Sequence, residues 1–297
     1  MTTRAEQKRI DFRRNIAEGR FMTAPGIYDA LSAKVAEASG LNCLAMGGYA
    51  ISASRLGEAD VGLLSMTEMA TALKQIADAT NIPLIGDGDT GYGNPLNVIR
   101  TLHEYEKAGA SCVFFEDQAW PKRCGHMAGK QVIPAEEHVQ KIRAACENRL
   151  DPNTLIMART DTRAVHGLQD AIDRGHRYAD AGAEALFIEA LVSREEVETI
   201  ARAFEGSGIA LFANMIEGGK TPIIPTGELK AMGYAGVFWS CASLYLVTKT
   251  LKDAFTRLAV EGTSDGFLDR MIPFGEFNHF IGLDRYRELE QQYKTRA

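Results

Sequence analysis

Glu106-Lys-Ala-Gly-Ala110 stands before Cys112-Val-Phe-Phe-Glu116, and Ala179-Asp-Ala-Gly-Ala183 stands before Ala185-Leu-Phe-Ile-Glu189. Each pair is a helix end, a glycine, and a short apolar run closed by a carboxylate. A glycine between a helical pattern and a strand is a C-cap opening a tight αβ turn. The repeat therefore reads as strand–helix units placed in series. Further apolar runs lie at Phe21–Ile27, Asn42–Met46, Ile82–Gly86, Leu155–Ala158, Ile209–Ala213 and Gly236–Trp239. They are apolar throughout rather than alternating, as strands buried on both faces of a parallel sheet must be. Between them, Val98, Ile99, Leu102 and Tyr105 fall at helical spacing, as do Leu168, Ala171, Ile172 and Ala179. This alternation predicts an α/β fold, a closed (β/α)8 TIM-type barrel rather than an open doubly wound sheet. The chain is read as a single barrel domain over 1–297. Residues 263–297 form a C-terminal helical extension with a polar helix at Asp284–Lys294.

Composition narrows the function classes. The chain has 297 residues, 45% of them apolar and 24% charged, which is the balance of an ordered globular protein. The net charge is −6 with no lysine or arginine block, so a nucleic-acid partner is not expected. The first residues are charged and lack the apolar core of a secretory signal. The longest apolar stretch, Gly236 to Val247, is broken by Ser240 and Ser243 and is too short to span a bilayer. Cys43, Cys112, Cys124, Cys146 and Cys241 are odd in number and include no CxxC pair, so neither a disulfide frame nor a zinc knuckle is indicated. A cytoplasmic protein without a membrane partner is expected.

The strand ends carry the chemistry. Asp87 and Asp89 follow one run, Glu116 and Asp117 the next, then Arg159-Thr-Asp161, Glu189, Asn214 and Ser240. In a parallel barrel all of these reach the C-terminal face, where active sites are built. Gly86-Asp-Gly-Asp-Thr-Gly91 matches the dinucleotide pattern GxGxxG, but its two carboxylates would repel a pyrophosphate. The same carboxylates suit a hard divalent cation, with Glu116 and Asp117 joining through water from the neighbouring strand end. In Pro121-Lys-Arg-Cys-Gly-His126, two cations precede Cys124 and a histidine follows. Positive neighbours favour thiolate, so a depressed pKa is expected for Cys124, acting as nucleophile or proton donor, with His126 available as its base. The polar, glycine-containing stretch from Gln118 to Lys130 reads as a lid.

Lys122-Arg-Cys-Gly-His126, Gly86-Asp-Gly-Asp-Thr-Gly-Tyr-Gly93 and Met157-Ala-Arg-Thr-Asp161 together resemble the isocitrate lyase/phosphoenolpyruvate mutase superfamily, from about Pro25 to Gly262. The first block marks the lyase branch. Asn214–Pro222 and Gly47–Ala53 look most like lyases acting on 2,3-dimethylmalate, with the methylisocitrate type next.

The resemblance implies a divalent-metal-dependent oxo-acid-lyase that cleaves a 2-hydroxy di- or tricarboxylate to a 2-oxo acid and a carboxylate. It implies Mg²⁺ or Mn²⁺ at Asp87, with Asp60, Asp89 and Glu116 acting largely through water. Arg159 would pair with a substrate carboxylate, beside Glu189 and Asn214, and the backbone at Gly47 and Gly48 would face the oxo-acid part. Cys124 would be the general acid, on a loop whose Lys122, Arg123, Gly125 and His126 help bind substrate. Tyr49 and the metal site both remain candidates for the hydroxyl base. The resemblance further implies a homo-oligomer, dimer or tetramer, whose last helix is exchanged between subunits. Ser240 stands where related lyases carry proline, and it marks the alternative, an oxaloacetate acetylhydrolase giving oxalate and acetate.

Overall fold

The computed structural model describes residues 2–295. Eight strands close in sequence order into one parallel barrel: β1 Met22–Ile27, β2 Leu44–Met46, β3 Leu84–Asp87, β4 Cys112–Glu116, β5 Leu155–Thr160, β6 Ala185–Ile188, β7 Ala210–Met215 and β8 Gly236–Trp239. β8 returns to β1, with Pro25 opposite Trp239. Every apolar run of the sequence is one of these strands, so the (β/α)8 expectation holds. Several strands extend beyond their apolar run. Asp87, Glu116, Arg159, Thr160 and Asn214 are ladder residues, and Glu116 is paired with Arg159. Their backbones are fixed by the sheet rather than carried on loops.

The uniform apolarity of the runs resolves into two cores. Strand side chains alternate between faces. Ile156 and Ala158 pack outward against helices, while Leu155 and Met157 pack inward. The inward set forms a floor in which Phe187 lies 5.1 Å and Phe212 5.4 Å from the Phe238 ring. Phe12, from the helix Arg4–Ala17, stacks on Phe212 at 6.3 Å and closes the barrel from below.

The C-terminal glycine positions behave as expected, with one refinement. Gly109 is itself a left-handed cap at φ 100°, whereas Gly182 takes φ 105° one residue after its helix cap, Ala181. The protein divides into two compact units between Leu244 and Tyr245, inside the helix Ala242–Glu261 and ahead of Thr263. The second unit contains a 3₁₀ turn at Asp265–Arg270 and helices at Phe274–Phe280 and Leu283–Gln292. The last of these lies where the polar helix was expected. Among the described residues, no helix is long and apolar enough to cross a membrane.

Candidate active site

Strand parity assembles the site. Cys112 and Phe114 point inward, so Glu116 does too; Leu155 and Met157 bring Arg159, Phe212 brings Asn214, and Phe238 brings Ser240. These side chains form the layer above the phenylalanine floor. The cavity over that layer is lined by Gly47, Tyr49, Asp87, Cys124, Arg159 and Asn214 among others. Gly48, Asp60, Gly125, Glu189 and Ser240 complete its polar wall. A Cβ on Gly47 would meet nothing within 4 Å, so the glycine leaves room above the floor.

One side of the site is acidic. Asp87 accepts the Gly48 N–H at 2.8 Å and the Asp89 N–H at 3.0 Å. Gly48 permits this approach, because a Cβ there would press Lys122 Nζ at 3.0 Å. Lys122 Nζ lies 2.7 Å from both Asp60 and Asp89. Burial, then the Asp89 charge, pushes the Asp87 carboxyl up to about 6 against the opposing pull of Lys122 and Arg159. Glu116 Oε1 is buried without any partner, and its Oε2 has only Arg159 Nη1 at 3.1 Å.

These observations test the fit of a cation. No three Asp, Glu, His or Cys side chains among the described residues form a ready group for a metal ion. A closed zinc-type cage is therefore not what the described residues build. An orphaned Glu116 oxygen, a destabilised Asp87 carboxylate and further acids nearby do fit a hard divalent ion that keeps several waters.

The opposite side is an ion-pair lattice around Arg159. Its Nε and Nη2 reach Asp161 at 2.9 and 3.2 Å, and Nη2 lies 3.5 Å from Glu189 Oε2. The guanidinium also sits 5.1 Å over the Phe187 ring. Glu189 Oε2 accepts from Asn214 Nδ2 at 3.1 Å, and Asn214 Oδ1 accepts from Ser240 Oγ at 2.7 Å. Burial works to raise Glu189, but the His126 hydrogen bond and Arg159 outweigh it and bring its carboxyl down to about 2. Such a carboxylate is a poor proton acceptor and a good orienting anion.

Two expectations about the Cys124 loop are corrected. Burial pushes the Cys124 thiol up to about 12, with Glu189 and Asp60 adding to the effect. The flanking cations do not serve the sulfur: Lys122 is spent on Asp60 and Asp89, while Arg123 Nη1 turns to the Ala128 carbonyl at 3.4 Å. Arg123 is also absent from the cavity wall, unlike Cys124 and Gly125. His126 is not a free base for the thiol. Its Nδ1 accepts the Lys220 N–H at 2.9 Å, so its proton sits on Nε2 and is donated to Glu189 Oε1 at 3.0 Å.

Sequence reasoning missed two members of the site. Lys130 Nζ donates to Asp161 Oδ1 at 2.9 Å and also to the Gly125 carbonyl, tying the Cys124 loop to the Arg159 lattice. Asp161 was visible in the Arg159-Thr-Asp161 motif but had no assigned partner. The stretch expected to be a lid brings Cys124 and Gly125 onto the cavity wall, and a Cβ on Gly125 would lie 2.4 Å from Glu189 Cγ and 2.7 Å from Arg159 Nη2.

Residues 12–259 match the phosphoenolpyruvate phosphomutase family. The chain is 43% identical over 295 residues to 2,3-dimethylmalate lyase of Eubacterium barkeri, covering 99% of each. It is 45% identical over 288 residues to a chloroplastic carboxyvinyl-carboxyphosphonate phosphorylmutase of Arabidopsis thaliana, covering 96% of this chain and 84% of that one. Among solved structures, oxaloacetate acetylhydrolase bound to 3,3-difluorooxalacetate superposes with a TM-score of 0.91 at 32% identity, covering 98% of each.

Proposed function

Because the chain belongs to the isocitrate lyase/phosphoenolpyruvate mutase superfamily, we propose that it is a carbon–carbon lyase cleaving a 2-hydroxy dicarboxylate of the 2,3-dimethylmalate type to a 2-oxo acid and a carboxylate. The observation that carries this reading is that the half-buried Cys124, Arg159 and the acids Asp60 and Asp87 all line one cavity. A divalent ion, Mg²⁺ or Mn²⁺, would be held by Asp87 with Asp60, Asp89 and Glu116, and when bound it supplies Lewis-acid polarisation of the oxo-acid end.

The chain's own residues account for the remaining steps. Arg159, fixed by Asp161, turns its Nη1 edge toward Glu116 and toward a substrate carboxylate in the cavity. The Gly47 and Gly48 backbone faces the carbinol end. Removal of the hydroxyl proton, for which Tyr49 on the cavity wall is the side-chain candidate, lets the C2–C3 bond break. The bonding electrons pass into the carboxylate on C3, and C2 becomes the carbonyl of the 2-oxo acid. The Cys124 S–H then delivers its proton to C3. A thiol held near 12 is in the required protonation state at neutral pH, which favours a proton donor over a nucleophile. The closed loop keeps water from the carbanionic intermediate.

Ser240 supports a second reading, hydrolysis of oxaloacetate to oxalate and acetate. Its hydroxyl reaches the cavity and donates to Asn214, leaving oxygen lone pairs for a substrate hydroxyl. Turnover of dimethylmalate, methylisocitrate, isocitrate, citramalate and oxaloacetate with Mg²⁺, with products identified by mass, decides between them. No turnover of any of these diacids would sink both readings.

The assembly reading is a homo-oligomer, dimer or tetramer. The C-terminal unit carries several exposed apolar side chains, among them Leu246, Phe255, Val260 and Phe274, of the kind an interface between copies would cover. A second copy covers this face in the proposed assembly, and light scattering giving a monomer at micromolar concentration would rule it out. The free cysteines agree with a reducing, cytoplasmic setting.

A further inference from the structure

We propose that Asp117 is a positioning residue for Arg159 and for the root of the Cys124 loop, acting from behind the barrel wall. The inference rests on Arg159 being the partner of a substrate carboxylate, as proposed above.

Asp117 directly follows the last residue of β4, and its carboxylate meets Arg174 and Tyr178 of an outer helix rather than the cavity. It is nonetheless fully buried. Its carboxylate takes four hydrogen bonds. Oδ1 accepts the Asp161 N–H at 2.9 Å. Oδ2 accepts Thr160 Oγ1 at 2.6 Å, Tyr178 OH at 2.9 Å and Arg174 Nη1 at 3.0 Å. Arg174 and Tyr178 are one turn apart on the helix Leu168–Asp180 and so present one face to it. Four donors from two directions leave the carboxylate a single orientation.

That orientation is passed on twice. The Asp161 backbone held by Asp117 carries the carboxylate that grips Arg159 Nε and Nη2 and receives Lys130. The Asp117 carbonyl accepts the Ile133 N–H at 2.9 Å, and Arg174 Nη1 donates to the Ile133 carbonyl at 2.9 Å. The end of the long loop is thus stapled to the same point. A core network serving stability alone would use the same bonds but would not be energetically coupled to Arg159.

Asp117→Asn is the primary test, because it keeps the volume but sets an amide N–H against donors whichever way it turns. The expected result is at least a tenfold loss of kcat/KM in the wild-type background. Most of that loss should vanish in an Arg159→Lys background, as coupled sites require. A second readout needs no substrate: trypsin cleavage after Lys122, Arg123 or Lys130 under native conditions should be at least fivefold faster in the variant. Tyr178→Phe removes one donor without changing charge. It should show the same pattern at a smaller, roughly threefold scale, and it carries the test if Asp117→Asn does not fold. A lowered melting temperature with kcat/KM losses that multiply with Arg159→Lys would overturn the proposal. So would unchanged trypsin rates. If wild type turns over none of the diacids, the lyase reading fails while the trypsin rates still decide the role of Asp117.

Discussion

Gly125 sits against Arg159 so closely that a single added methyl would lie 2.7 Å from the guanidinium Nη2. The closed loop therefore depends on a residue without a side chain at this point. The same methyl would meet Glu189 Cγ at 2.4 Å, on a side chain already pinned by His126, Asn214 and the Ala190 N–H. Neither neighbour has freedom to move aside.

Gly125→Ala should consequently hold the loop off the cavity. A displacement of about 1 Å at a reacting group costs on the order of 10²-fold in rate. The expected outcome is a kcat loss of that order with a melting temperature close to wild type, since the loop is not part of either core. Calorimetry alongside steady-state kinetics checks it. Wild-type kcat in this variant would show that the closed position is not the working one.

Cys124→Ala and Cys124→Ser should lower kcat by about 10²–10⁴-fold, the usual contribution of a general acid, with KM little changed. The position of the thiol adds a direct chemical check. Because burial pushes Cys124 up to about 12, alkylation by iodoacetamide at pH 8 should be far slower than for a free thiol. Rapid alkylation at the pace of an activated thiolate would contradict the donor role.

Metal dependence can be read without turnover. An ion that binds only the folded chain raises its melting temperature with concentration. Mg²⁺ or Mn²⁺ alone should stabilise the wild type and leave Asp87→Ala unmoved, and chelator should abolish activity. Equal stabilisation of both proteins would place the cation away from Asp87.

Much of this site was legible in the sequence because strand ends are legible. Runs such as Cys112–Phe115 locate a strand, and the next residue is then a barrel-mouth group. What escaped was direction and long-range pairing. Whether Lys122 faces Cys124 or turns to Asp60 and Asp89 depends on the loop path, and its neighbours in sequence suggested the wrong partner. His126 was misread for the same reason, since its Nδ1 is claimed by a backbone N–H far along the chain, at Lys220. Lys130 and Asp161, 31 positions apart, gave no sign of each other in the sequence. Asp117 looked like a further member of the acidic cluster, and its bonds to Arg174 and Tyr178 show that it faces the other way.

Acid should reveal the Glu189 contacts. Its carboxyl lies near 2 in the folded protein against an ordinary 4.5. A depressed carboxyl contributes stability that is fully present above 4.5 and is lost as pH falls from there toward 2. The contribution is on the order of 3 kcal/mol for a shift of this size. Urea unfolding between pH 6 and 3 should show a steeper loss for wild type than for Glu189→Gln. Parallel curves would remove Glu189 from the account of acid stability.

Ser240 separates the two catalytic readings. A lyase substrate presents one hydroxyl at the carbon that becomes a ketone, whereas hydrated oxaloacetate presents two. In a dry cavity the extra hydroxyl needs a partner, and leaving it without one costs about 1–3 kcal/mol, or roughly ten- to a hundredfold in relative rate. Ser240 Oγ already gives its proton to Asn214 Oδ1 at 2.7 Å, and Asn214 is held in turn by Glu189, so the serine oxygen is oriented as an acceptor. Proline at this position has neither hydroxyl nor N–H to offer. Ser240→Pro and Ser240→Ala should therefore be assayed on oxaloacetate and dimethylmalate together. The lyase reading expects dimethylmalate to be the better wild-type substrate and to lose less than tenfold in Ser240→Ala. Efficient wild-type cleavage of oxaloacetate that collapses selectively in both variants would make the hydrolase the correct assignment.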